Sequence, residues 1–172
     1  MRSIRDLAGY YYLCLAIGLC NKEAIIEWAD SIIADDTYPY ELIEVSLSRE
    51  RTLNEVLSIL KEIYGKYDID APLSKLLGLL VIKLETGKIT EDKFFGYISS
   101  LLLQGSAFTI SEEVLHMLDR LDDSYYLAFQ GIYGSVEQIR NEAINDLGKY
   151  KDCVSLYEEA YNSANTLFTL RA

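Results

Sequence analysis

Apolar residues return every three or four positions along almost the whole chain, the spacing of an amphipathic α-helix, and no run alternates as a half-buried strand would. Stop and start signals divide the pattern. The first helix is expected over Ile4 to Leu19. Asn21 caps a second, with Ile25, Trp28, Ala29 and Ile32 on one face and the acidic stripe Glu23, Glu27, Asp30 on another. After Asp35-Asp36-Thr37-Tyr38, Pro39 suits the first turn of a short helix that turns Leu42, Ile43 and Leu47 inward. Thr52 and Glu55 have capping-box spacing for a helix that Gly65 closes.

Asp70 and Pro72 open a helix so rich in leucine, from Leu76 to Leu84, that it is expected at the centre of the core. Thr90 starts the next, with Phe94, Phe95, Ile98, Leu101 and Leu102 inward, as far as Gly105. Ser111 caps a helix through Leu118 that is expected to break or kink at Asp122-Asp123-Ser124 before Tyr125 to Ile132. Ser135 and Gln138 form a second capping-box pair, leading Val136, Ile139, Ala143 and Leu147 into register. A last helix places Val154, Tyr157, Ala160, Tyr161, Ala164 and Phe168 together. The expectation is an all-α, single-domain bundle of about eight or nine helices spanning residues 1–172, with stacked helical hairpins as the alternative, since helix starts recur at even intervals without a repeated residue signature.

Half of the 172 residues are hydrophobic, enough for a core without disulfide or metal, and only ten glycines and two prolines interrupt the pattern. The net charge of -11 disfavours free nucleic acid and anionic membranes, both of which need a cationic surface. Acids are unevenly spread: Glu23 to Glu44 contains seven and no Lys or Arg, and Glu112, Glu113, Asp119, Asp122 and Asp123 face Arg120 alone. Arg2, Arg5 and the apolar run to Cys20 imitate a secretion signal, but Asp6, the Tyr10-Tyr11-Tyr12 triplet and the bulk of Leu19 fit one poorly. That apolar stretch reads as a buried helix, because a span needs roughly 18 to 20 apolar residues. A cytoplasmic protein is expected. Three cysteines without paired-metal spacing suit that compartment, and on a continuous helix Cys14 and Cys20 would stand about 9 Å apart, beyond disulfide reach. Free, buried thiols are the expectation.

Little catalytic chemistry is on offer. His116 is the only histidine, so although Glu113 and His116 have the spacing of a di-iron ligand pair, the second such pair is missing. Gly87-Lys88-Ile89-Thr90 lacks the leading glycine of a phosphate-binding loop and reads as a helix stop and cap. Asp68-Ile69-Asp70 meets Pro72 where a calcium loop would continue. No catalytic residue, cofactor or metal is assigned. What remains is surface: fourteen tyrosines, a residue with a large rigid apolar face and a polar tip suited to interfaces. The candidate partner-binding residues are Asp35, Asp36, Tyr38, Tyr40, Glu41 and Glu44 in one patch and Asp119, Asp122 and Asp123 in another, with Tyr125, Tyr126, Tyr157 and Tyr161 assigned to core or boundary positions.

The segment Ala24-Ile25-Ile26-Glu27-Trp28-Ala29-Asp30, continued by Ile32-Ile33, Tyr38-Pro39 and Glu41-Leu42-Ile43-Glu44-Val45-Ser46-Leu47, resembles small all-helical bacterial immunity proteins. These are the cytosolic antidotes of polymorphic and contact-dependent growth-inhibition toxins. The resemblance implies a monomer that binds a cognate toxin C-terminal domain one to one. That domain would be a basic protein and typically a nuclease, neutralised stoichiometrically as carboxylates stand where phosphates would go. The alternative is a helical adaptor or structural interaction module with no toxin partner.

Overall fold

The computed structural model describes residues 4–34, 38–65, 69–104 and 110–154. Every regular element among them is helical: α1 (Ile4–Ala16), α2 (Lys22–Ile33), α3 (Glu41–Ser46), α4 (Leu53–Tyr64), α5 (Asp70–Glu85), α6 (Glu91–Leu103), α7 (Glu112–Phe129) and α8 (Val136–Leu147), with 3-10 turns at Ser48–Glu50 and Gly148–Tyr150. Residues 152–154 are again helical where the described chain ends, so Tyr157, Ala160, Tyr161, Ala164 and Phe168 of the expected last helix lie outside it. The all-α expectation is met.

The chain divides into two compact units, Met1–Leu73 with Tyr97–His116, and Ser74–Gly96 with Met117–Ala172. Each is assembled from two stretches of sequence, which explains why no linker or shift in composition marks a boundary.

In the first unit α1 packs on α4, α2 on α3, and α3 on α4. Their inward side chains include Leu13, Ile25, Leu42, Val45, Val56 and Leu60, each fully buried. Each such aliphatic side chain contributes about 1.5–3 kcal/mol by leaving water. Both predicted caps form. The Asn21 side chain accepts a hydrogen bond from the Ala24 amide at 3.0 Å. Thr52 accepts from the Glu55 amide while the Glu55 carboxylate accepts from the Thr52 amide at 2.7 Å. The Lys22 ammonium ties the start of α2 to the 3-10 turn through the carbonyls of Arg49 and Arg51, at 2.6 and 2.8 Å. Trp28 is buried against Tyr11, with ring centroids 4.7 Å apart. Its indole N–H has no hydrogen-bond partner among the described residues. Leu47 departs from expectation. It is exposed because α3 ends at Ser46 and the chain then tightens, so Val45 takes the buried position instead.

In the second unit Leu76, Leu77, Leu80, Val81 and Leu84 of α5 are buried together with Phe94, Phe95, Leu118, Leu121, Ile139, Ala143 and Leu147. The closest approach is at Gly78, where any β-carbon would lie 2.2 Å from the Tyr150 carbonyl oxygen. Only a hydrogen fits there. Arg140 clasps α5 and α6, donating to the Leu84 carbonyl at 3.2 Å and pairing with Glu91 at 3.2 Å. Lys151 pairs with Glu85 at 2.7 Å.

One expected boundary is overturned, and one expected cap forms only in part. α7 runs unbroken through Asp122-Asp123-Ser124, because Leu118, Leu121, Tyr125 and Ala128 keep helical spacing across it. The modest helix propensity of Asp and Ser, costing under about 1 kcal/mol per residue, cannot outweigh that buried face. At Ser135 only half of the capping box forms. The Ser135 hydroxyl accepts from the Gln138 amide at 3.1 Å, but the Gln138 side chain donates to Glu142 at 3.1 Å instead of turning back.

One backbone device ends three helices. After α1, the Gly18 amide donates to the Leu15 carbonyl at 3.2 Å, and the Leu19 and Cys20 amides both donate to the Cys14 carbonyl, at 2.8 and 3.3 Å. The same three bonds recur around Gly87, with Lys83 accepting twice, and around Gly131, with Leu127 accepting twice. Each glycine has φ between 68° and 75°, the left-handed conformation that a side chain resists, and the pattern is that of a Schellman cap. Gly87 and Thr90 thus act as helix stop and cap, the Thr90 hydroxyl accepting from the Lys93 amide at 3.3 Å.

Candidate recognition surfaces

The first predicted patch is partly described. Asp35 and Asp36 lie outside the described residues. Tyr38 and Tyr40 are exposed at the entrance to α3, Tyr40 at 72%, and Glu41 is exposed beside them. Glu44 differs: its carboxylate pairs with the Arg51 guanidinium at 3.2 Å and is half-buried. Part of its charge is therefore neutralised within the unit. Asp30, at the end of the acidic stripe, accepts a hydrogen bond from Ser46.

The second patch lies on α7 in the second unit. Asp119 and Asp123, one turn apart, are exposed, while Asp122 is half-buried. Arg120, the only cation among them, is engaged elsewhere, donating to Asp146 and lying 3.8 Å from Glu142 on α8. These pairs set α7 and α8 side by side and leave Asp119 and Asp123 facing solvent without a cation of their own helix directed at them.

Just beyond these carboxylates is a feature that the sequence reading missed. Tyr126 and Phe129 on the last turn of α7, and Ile132 and Tyr133 in the turn that follows, are 61%, 62%, 67% and 72% exposed. Tyr126, expected in the core or at its boundary, is instead exposed. Its neighbour Tyr125 is the one that turns inward, stacking on Phe95 with ring centroids 4.0 Å apart and planes within 10°. Burial, followed by Asp92 and Glu91, pushes the Tyr125 phenol above its ordinary pKa. Phe129 leans toward Tyr125, 6.0 Å between centroids. Ile132 and Tyr133 are held out by the cap at Gly131 and by Gly134, whose φ of 72° turns the chain again before Ser135 starts α8. Two left-handed glycines bracketing two large apolar residues were the signal available in the sequence: such a turn has no inward face for them.

Chemically reactive arrangements are sparse. His116 is exposed on α7. Among the described residues no group of three or more His, Cys, Asp or Glu side chains is placed to hold a metal ion, and no helix is long and apolar enough to cross a membrane. An open depression runs along α8, lined by Ser135, Glu137, Gln138, Asn141, Glu142 and Asn145. It follows one helix face and its cap, and presents hydroxyl, carboxylate and carboxamide groups.

The cysteines need a correction. Cys14 is buried, but Cys20 and Cys153 are only partly so. α1 stops at Ala16, and the cap at Gly18 folds Cys20 back over Cys14, so the separation expected along a continuous helix does not arise. The Cys14 thiol hydrogen-bonds to Cys20, holding the Cys20 thiol below the ordinary cysteine range against an opposing push from burial. Tyr10 lies against the same pair: burial, then Cys14, drives its phenol far above the usual tyrosine range.

Searches against protein-family models, curated proteins and solved structures return no match to this chain.

Proposed function

We propose that this chain is an immunity-type protein: it binds a basic toxin domain and neutralises it by stoichiometric occlusion. The observation that carries the reading is the surface at the end of α7, where Tyr126, Phe129, Ile132 and Tyr133 stand exposed next to Asp119 and Asp123. Large aromatic anchors with a polar margin are the composition of many protein interfaces. The carboxylates select a cationic partner and speed its approach, while the aromatics supply the burial that slows its departure. Tyr38, Tyr40 and Glu41 form a second acidic and aromatic surface, on the other unit, available to the same kind of partner. The net charge of -11 favours such a protein over nucleic acid as the partner, and the resemblance of Ala24 to Leu47 to immunity proteins is what suggests the role. In this reading the protein works in the cytoplasm as a monomer, with no cofactor and no turnover of its own.

The exposed apolar side chains also support a second reading, a helical adaptor that joins another helical protein or a second copy of itself. Co-expression with the C-terminal domain of the protein that the neighbouring upstream gene encodes separates the two. A one-to-one complex that restores growth supports immunity. A protein that assembles with itself as its concentration rises, and neither co-elutes nor rescues, supports the adaptor.

A further inference from the structure

The cap at the end of α1 differs from its two counterparts in what it brings together. At each cap the residue four before the glycine and the residue two after it are joined by a backbone hydrogen bond. Those positions hold Lys83 and Ile89 at Gly87, Leu127 and Tyr133 at Gly131, and Cys14 and Cys20 at Gly18. The N···O separation of 3.3 Å between Cys20 and Cys14 holds their α-carbons within about 7 Å of one another, against the roughly 4.4–6.8 Å that a disulfide spans. The two thiols are already in hydrogen-bonding contact. They also differ in access, Cys14 being 2% exposed and Cys20 partly open to solvent. Cys153, the remaining thiol, lies in the other unit.

We infer that Cys14 and Cys20 form a dithiol site that reacts with low-molecular-weight disulfides and closes to an intramolecular disulfide. Cys20 is the attacking residue. Its thiolate bonds to one sulfur of the small disulfide, whose S–S bond breaks and releases one thiolate, which takes up a proton. Cys14 then attacks the Cys20 sulfur of the mixed disulfide and displaces the second small thiolate, which takes up the proton that Cys14 loses. Two protein thiols are oxidised to one disulfide and the small disulfide is reduced to two thiols. Access favours this order, because Cys20 is the more exposed thiol, and the hydrogen bond from Cys14 holds it below the ordinary cysteine range. The product fixes the first turn after α1 to the helix it caps, with the backbone bonds of the cap unchanged.

The test uses the Cys153→Ser protein, in which the pair holds the only thiols, treated with oxidised glutathione. The expected result is loss of both thiols on titration of the denatured product, with no retained glutathione. A single tryptic peptide, Asp6–Lys22, should be lighter by two hydrogens. In a Cys20→Ser variant of the full chain, Cys14 should keep its thiol, because a buried cysteine without its exposed neighbour has no route to the oxidant. Two results overturn the inference: glutathione accumulating on Cys20 as a stable mixed disulfide, or both thiols persisting under conditions that oxidise a free cysteine peptide.

Discussion

The ends of α1 and α7 share a backbone and differ in almost everything built on it. Both close with a left-handed glycine and the same three hydrogen bonds. After α1 the chain folds back over a buried turn, Leu13 to Leu15, and Cys20 is laid against Cys14. After α7 the chain emerges with Ile132 and Tyr133 outward, continuing the exposed line of Tyr126 and Phe129. A Schellman cap fixes where the backbone turns. Whether the turn becomes core or surface depends on what the side chains two or three residues away meet. One cap therefore stores a reactive pair, and the other displays an apolar surface beside two carboxylates.

The contrast can be broken most strongly in the core. Leu13→Ala, at a fully buried site in the last turns of α1, should cost about 2–5 kcal/mol in urea unfolding. At the exposed end of α7, Tyr126→Ala and Tyr133→Ala should each change stability by no more than about 0.5 kcal/mol. In partner binding each should cost about 2 kcal/mol, roughly 30-fold in Kd by titration calorimetry, if they are the anchors proposed. The cap glycines come next. Gly18→Ala and Gly131→Ala should destabilise by similar amounts, about 1–2 kcal/mol each, because the strain belongs to the shared conformation and not to its surroundings. Unequal losses would mean that the two caps are not energetically equivalent.

The smallest effect concerns acidity. A thiol held below its ordinary pKa loses its proton earlier as pH rises, so iodoacetamide alkylation of Cys20 should level off at a lower pH than that of an ordinary cysteine. Cys14→Ser weakens the hydrogen bond responsible, and the midpoint should move upward. No shift would assign the lowered pKa to something other than Cys14.

Fold class and most helix starts were legible because side-chain caps and helical spacing are local: Asn21, Thr52 with Glu55, and Ser135 all act within three residues. Helix ends were harder. Gly87, standing outside an apolar run, reads as a stop, whereas Gly18 sits inside Leu7 to Cys20 and was absorbed into a helix ending at Leu19. That single boundary hid the Cys14–Cys20 contact, which a helix continued through Gly18 would forbid. At α7 the misleading signal was opposite in kind, since Asp122-Asp123-Ser124 looks like a break, but Leu121 and Tyr125 on either side of it continue the inward stripe. The acidic half of the candidate surface was visible as charge. Its aromatic half was not, because an exposed Tyr126 and a buried residue at the same helical spacing are the same letter pattern, and only the packing of Tyr125 on Phe95 decides which of the adjacent tyrosines turns inward.

The most direct test of the proposed role is co-purification of the chain with the C-terminal domain of the protein that the neighbouring upstream gene encodes, repeated with Tyr126→Ala/Tyr133→Ala and with Asp119→Lys/Asp123→Lys. The account predicts a one-to-one complex that restores growth. The aromatic pair of substitutions should weaken it strongly, and the charge reversal should slow its formation and flatten its salt dependence. A wild-type chain that neither co-elutes nor rescues, or a complex indifferent to both double variants, would contradict it.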